Sequence, residues 1–386
     1  MPEDEKPDAP AMLAGLKLYG LDLSYFTGKF EAFVRYKNIP HQRIEFSLTL
    51  MREIARRTGL AQMPAVELPD GRWMSDSTPM IEWLDANTNG PRVIPADPVQ
   101  QFLSLLVEDY ADEWLWRPAL HYRWSYKPDA RLMGHRIASE MLRDVRAPLW
   151  LRRFFVIRRQ QRVYLRHDGV TPATIPHIES TYRRNLAFLD TIFAARPFML
   201  GDRPTLADFG FFASMFRHFG LDPTPARIMR DEAPHVYEWL GRMWNAKASK
   251  LNGALVDEGT VPADWQPILT DIGASYLPYL NANARAYQKG DTHYRFETEG
   301  TTYHLPVHRY RVWCLERLQG RWRALAPDMQ ARVSAILAGT NCIETLTTVA
   351  NLKSGFDPDH LSPFFKPGHI WSDKNGPKET HHDPHL

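Results

Sequence analysis

Apolar positions along the chain switch between strand and helix periods, and each change marks a structural boundary. Leu16, Leu18 and Leu21, bracketing Tyr19 and Gly20, form a short apolar run that predicts a strand. From residue 28 the spacing turns helical through Phe30, Phe33, Val34 and Lys37. Asn38 ends it, and Ile39-Pro40 leads into a second strand over 42–46. Residues 50–58 read as an arginine-rich helix. Residues 64–68 and 72–74 read as two short strands joined by Pro69-Asp70-Gly71, a turn signal, and 77–87 closes as a helix. The predicted order is β-α-β-α-β-β-α.

Beyond a proline-bearing link over 90–98 the period is helical. Phe102, Leu106, Tyr110 and Trp114 recur at i+4 in one stripe, and Ile178, Tyr182, Leu189 and Phe193 line a later helix. Thr205 with Asp208 three residues on is a capping-box start to an aromatic helix reaching Phe216, and 234–247 adds another helix. Further on, 293–297 and 302–305 flank Thr298-Glu299-Gly300-Thr301 as a hairpin, and 310–318 and 328–337 read as helices. From Gly355 onward, proline, glycine and histidine predict an irregular tail. The chain thus divides into a flexible leader over 1–14, a mixed unit over 15–89, a helical unit over 98–257 and an extension over 258–386. Trp265, Tyr276, Tyr279, Tyr310, Trp313 and Trp322 make the extension too aromatic for a solvated linker. It is expected to pack back on the helical unit and narrow a pocket there.

Composition narrows the function classes. In 386 residues, 47 Lys and Arg against 45 Asp and Glu give a net charge of +2, so a nucleic-acid partner for the whole chain is not indicated. No run of 18 or more apolar residues suggests a membrane span. The acidic, proline-rich start does not read as a secretory signal. Cys314 and Cys342 stand apart from any metal-ligand spacing, so neither a disulfide framework nor a metal is expected, and a reducing cytoplasm is. The 12 Trp, 15 Tyr and 19 Phe suit a large core or a pocket for apolar ligands.

Candidate chemistry lies at the ends of the first unit's elements. Ser24 and Thr27 sit where strand one enters helix one, near free N–H groups that favour an anion; either could instead be a plain helix cap. Gln62 and Met63 precede Pro64, which at a strand start is a candidate cis-proline, turning backbone polar groups toward a ligand. Asp76 and Ser77 offer a carboxylate and a hydroxyl at a helix start, suited to the ammonium and carboxylate of an α-amino-acid head; singly, each would be a cap. Residues 143–166 hold eight arginines around Trp150, Phe154 and Phe155. That run reads first as a solvated face over packed aromatics, with an anionic lipid surface or acidic substrate as the alternatives.

In this order, these sites resemble the glutathione S-transferase superfamily. The resemblance covers 16–247 and implies an α/β plus all-α protein: a thioredoxin-like βαβαββα domain, a helical-bundle domain and, here, an unmatched mixed C-terminal extension. Ser24-Tyr25-Phe26-Thr27 resembles the family's active-site turn, Met63-Pro64 its cis-proline loop, Asp76-Ser77 the pair that grips the γ-glutamyl group, and Thr205–Asp208 its helical-domain capping motif. The implied activity is a glutathione-dependent transferase or lyase, with glutathione as co-substrate, Ser24 activating its thiol, and Thr27, Gln62, Met63, Pro64, Asp76 and Ser77 binding it. Tyr25, Tyr110, Trp114, Arg117 and His121 are expected to line the pocket of a small electrophilic, apolar or aromatic substrate. Detoxification and a homodimer follow from the same resemblance. Tyr25 stands where many serine-type members carry proline, which leaves a non-catalytic binding or scaffold protein as the alternative, and Tyr19 competes with Ser24. No cysteine lies near the turn, so cysteine-type thiol transfer is not expected.

Overall fold

The computed structural model describes residues 13–251 and 253–365. Most of the expected leader, and the histidine-rich end of the expected irregular tail, lie outside them. Four short strands form one sheet in the order β2-β1-β3-β4: β1 (Leu16–Gly20), β2 (His41–Glu45), β3 (Ala65–Glu67) and β4 (Trp73–Ser75). β1 runs parallel to β2, which demands a crossover, and α1 (Tyr25–Tyr36) supplies it. Ser24 opens α1 as its N-cap, and Asn38 follows its end with φ 55°. α2 (Leu48–Thr58) is capped by Ser47 and closed by Gly59 in the left-handed conformation. β3 pairs antiparallel with both β1 and β4, after which α3 (Ser77–Asn87) begins. Leu16 and Leu18 of β1, with Phe30, Phe33 and Val34 of α1, bury the apolar faces that the two periods predict.

The helical domain comprises α4 (Pro98–Glu113), α5 (Trp116–Ser125), α6 (Lys127–Glu140), α7 (Leu149–Arg159), α8 (Ile175–Ala195), α9 (Leu206–Ser214), α10 (Pro223–Glu232) and α11 (Pro234–Asn245). The capping motif forms as the sequence predicts: the Asp208 carboxylate accepts from the Thr205 N–H at 2.8 Å and the Met199 N–H at 2.9 Å. α9 crosses α4 so closely that a Cβ on Gly210 would lie 2.8 Å from the Glu108 Cα, which fixes glycine there. α7 departs from the expectation. Its aromatic residues are not packed beneath an arginine face; Trp150, Phe154 and Phe155 are exposed, and only Val156 is buried.

The extension adds α12 (Gln266–Asp271), α13 (Leu277–Lys289), the hairpin β5 (His293–Thr298) and β6 (Thr301–Pro306), α14 (Arg309–Ala324), α15 (Pro327–Ile336) and α16 (Cys342–Leu346). It touches both preceding domains. On the helical domain, Tyr276 and Tyr279 pack on Trp114, Trp322 on Phe102, and Arg196 makes a two-pronged bond to Asp264. On the first domain, the Pro363 carbonyl accepts from the Ser75 N–H at 3.0 Å, occupying the open edge of β4. Arg317 meets Glu82 at 3.0 Å.

The joint between the first two domains is polar and dry. The Lys29 ammonium of α1 is fully buried and donates to Glu108 and Asp112 of α4, and to Thr78 Oγ1 at 2.9 Å. Breaking a buried ion pair by removing one partner costs about 3–5 kcal/mol, because the other charge stays desolvated. Lys29→Met is therefore expected to lower the unfolding free energy by roughly 3–5 kcal/mol, read as a reduced urea midpoint. A midpoint equal to that of the wild type would show that the joint does not depend on this ammonium.

Candidate active site

A cleft opens where the cis-proline loop, the start of α3 and the end of α4 meet. It is lined by Phe26, Gln62, Met63, Pro64, Asp76, Ser77, Asp112, Glu113 and Tyr310. The Met63–Pro64 bond is cis, as its position before β3 suggests. Asp76 precedes α3 with φ 75° and ψ 113°, a backbone that non-glycine residues adopt at a cost of about 1–3 kcal/mol. That geometry brings its carboxylate to the cleft, while Ser77 heads the helix with its free N–H groups. The Tyr310 hydroxyl, delivered by α14, donates to Asp76 Oδ2 at 3.1 Å. Water can reach a volume of only ≈ 20 Å³ inside the cleft, about the room for a single water.

The electrostatics are those of crowded acids. Burial pushes the Asp76 carboxyl up to about 6, against the pull of Arg317 and Lys29. Burial likewise raises Glu113 to about 7, although the Arg311 guanidinium lies 3.7 Å away. Asp112 is raised well above the carboxylate range by burial and by Glu108 beside it, because two carboxylates share the one Lys29 ammonium. Its Oδ2 faces Lys29, and its Oδ1 has no hydrogen-bond partner among the described residues. Acids, a hydroxyl and a helix start thus converge in one cleft, an arrangement that accepts an ammonium and a carboxylate from one ligand.

Five of the sequence candidates meet there: Gln62, Met63, Pro64, Asp76 and Ser77. The others stand elsewhere. Ser24 is half-buried, and its Oγ accepts from the Thr27 N–H at 3.2 Å, so it serves α1 as the cap. Thr27 is buried behind it. Tyr19 donates to Glu67 at 2.8 Å, with burial holding its phenol above the usual range, and stacks on Trp73.

The residues expected along a second-substrate wall are core instead. Tyr25 is buried and donates to the Ala111 carbonyl at 2.6 Å. Tyr110 bonds Asn185 and Asp271; Trp114 packs on Tyr276, Tyr279 and Phe296. Arg117 donates to the Asp168 carbonyl and stacks over Tyr279 and Tyr303, and His121 faces Glu179 at 3.0 Å. The physical reason is the extension, which supplies the surface that most of these side chains pack on. Sequence reading missed Phe26, Asp112, Glu113 and Tyr310. Asp112 and Glu113 carried a signal, charges on an otherwise apolar helix; Tyr310 carried none. Both cysteines are buried with raised thiols, Cys342 to about 11, which leaves them inert.

Residues 18–92 match the family described as "Glutathione S-transferase, N-terminal domain", and residues 174–246 match "Glutathione S-transferase, C-terminal domain". The first and helical domains of the chain are those of the glutathione S-transferase superfamily. Among solved structures it is similar to a glutathione S-transferase from Methylobacillus flagellatus KT with GSH bound: 18% identity, TM-score 0.40, 61% of this chain and 97% of that one. It is similar also to the beta-etherase LigF from Sphingobium sp. strain SYK-6, with 19% identity, TM-score 0.41, 59% of this chain and 94% of that one. No curated protein matches it. The transferase family uses glutathione as substrate, and among the described residues no group of three or more His, Cys, Asp or Glu is placed to hold a metal. The second matched region ends at residue 246, so Tyr310 reaches this cleft from outside both.

The raised carboxyls set a pH dependence. An acid whose folded pKa lies above its unfolded value near ~4 binds its proton more tightly when folded. Its stabilising contribution is complete below about pH 4 and is lost as pH rises through the folded value. Asp76 at about 6 and Glu113 at about 7 place that loss between about pH 4 and 7. The urea midpoint is expected to fall over this window, and Asp76→Asn with Glu113→Gln should flatten the fall. A double variant that declines as steeply as the wild type would remove these two acids as its cause.

Proposed function

We propose that the protein is a glutathione-dependent transferase or lyase whose glutathione site is covered by its own extension. The observation that carries this reading is the convergence of Gln62, Met63, Pro64, Asp76 and Ser77, from separate stretches of chain, on one cleft. The donor set fits the peptide: Asp76 would take the γ-glutamyl ammonium, and Ser77 with the α3 amides the adjoining carboxylate. When bound, glutathione supplies the thiol that attacks an electrophilic carbon. Ser24 does not line the cleft itself, but its Oγ accepts the Thr27 N–H and so keeps its own O–H available to a thiol that reaches the positive end of α1. Phe26 and Met63 give the cleft an apolar wall for the electrophile, in place of the residues first expected there. The γ-glutamyl ammonium and the Tyr310 hydroxyl would share the Asp76 carboxylate, so binding would compete with the Tyr310 bond.

A second reading, a non-catalytic binding protein, is favoured by the same Tyr310–Asp76 bond and by the capping role of Ser24. The two separate on variants. Asp76→Ala with Ser77→Ala should weaken glutathione binding, measured by calorimetry, roughly tenfold or more, since hydrogen bonds to charged groups contribute about 1.5–3 kcal/mol each. Unchanged affinity would sink the assigned site. Ser24→Ala should lower turnover of a model aromatic electrophile by up to roughly a hundredfold with affinity kept, the factor that about 2.7 kcal/mol of thiolate stabilisation represents. Glutathione binding without turnover of any electrophile in a broad panel would favour the binding protein. Wild-type turnover in the Ser24 variant would pass the role to another donor.

A further inference from the structure

We propose that α7 is a docking surface for an anionic lipid bilayer. The inference is independent of the glutathione reading. Along this 11-residue helix Trp150, Phe154 and Phe155 are 66%, 52% and 59% exposed, and among the described residues only Leu132 and Tyr237 are other large apolar side chains so open to water. At 150–250 Å² per aromatic ring, the three expose roughly 300–400 Å², the size of the largest apolar patch on a typical monomer, which is often functional. At 100° per residue, Trp150, Phe154, Arg158, Phe155 and Arg159 fall within one half of the helix surface. Val156 points the other way, into the protein. The Phe154 and Phe155 rings meet edge to face at 5.9 Å, and the Arg158 guanidinium lies over Phe154.

Charge on this face is of one sign. No aspartate or glutamate occurs from 145 to 167. Arg146, Arg153, Arg158, Arg159, Arg162 and Arg166 are exposed, and none is paired with a carboxylate among the described residues. The chain as a whole is nearly neutral, so the positive field belongs to this segment. Open aromatic rings ringed by unpaired guanidinium groups match a lipid interface, where rings enter the acyl boundary and cations meet phosphates.

Other occupants fit less well. A second copy related by a two-fold axis would set the same arginines against each other. Single-stranded nucleic acid uses stacking rings too, but inside a groove that tracks the backbone, whereas α7 offers one exposed helix face. Among the described residues no helix is long and apolar enough to cross a membrane, so the contact would be peripheral.

The test is sedimentation of the full-length protein with vesicles of phosphatidylcholine alone, or with about one-third phosphatidylglycerol. Binding to the anionic vesicles is expected to exceed binding to the neutral ones at least tenfold and to weaken in high salt. Trp150→Ser with Phe154→Ser and Phe155→Ser should reduce it at least tenfold, with circular dichroism and melting temperature unchanged because these side chains are exposed. Arg153→Glu with Arg158→Glu and Arg159→Glu should abolish it while leaving the rings in place. Absence of binding to anionic vesicles, binding untouched by either variant, or displacement from vesicles by a single-stranded oligonucleotide would each overturn the proposal.

Discussion

The buried Lys29 ammonium between Glu108 and Asp112 is the constraint on which the site depends. Removing a lysine and two carboxylates from water is costly, and the cost is offset only when each charge finds partners at bonding distance. α1 and α4 are therefore held in one relative position, with Thr78 of α3 completing the set. That position brings the end of α4, where Asp112 and Glu113 lie, against the loop of Met63-Pro64 and the start of α3. The cleft is a consequence of the ion pair, since neither domain alone supplies both walls.

The extension builds on the same helix. Residues 108–114 divide their side chains among three neighbours at helical spacing. Glu108 and Asp112, four apart, face Lys29; Tyr110 and Trp114, also four apart, face the extension. Asp109 accepts from Tyr276, and Glu113 meets both the cleft and Arg311 of α14. An apolar stripe that would otherwise border an open substrate pocket is thereby converted to core, and Tyr310 is carried to Asp76. Bonds at opposite ends of α14, Tyr310 to Asp76 and Arg321 to Glu82, hold it along the first domain.

What was legible in the sequence was what local chemistry decides. Pro64 at a strand start was a candidate for the cis bond, with a plain trans-proline as the alternative, and the Thr205–Asp208 box follows from a hydroxyl and a carboxylate three residues apart. The 293–306 hairpin follows from alternation around a turn. The stripe Phe102, Leu106, Tyr110 and Trp114 was equally plain, but a stripe names a buried face without naming what buries it. Its cover lies more than 160 residues away for Tyr110–Asp271 and Tyr276–Asp109. The Tyr310–Asp76 bond spans 234 residues. The pattern of α7 was ambiguous for another reason: Trp150 and Phe154 at i+4 look the same whether their face meets core or water.

These constraints join the cleft chemically to the extension. Asp112 and Glu113 are buried and Asp76 and Asp109 partly so; all four acids have raised pKa values, and each is in contact with a partner from another segment. A cationic group brought to Asp76 would favour its ionised form and compete with Tyr310 for the same carboxylate. α14 would then be held to the first domain mainly by Arg317 and Arg321 on Glu82, and by the cluster of Leu60, Trp313 and Phe356. Those contacts are surface-proximal ion pairs and a small apolar cluster, weaker than the Lys29 joint beneath them. Elsewhere α14 is anchored in the main core by Val312, Leu315 and Leu318 and by Arg311 on Glu113, so a competitor at Asp76 would act on the Tyr310 bond and not on the seating of the helix.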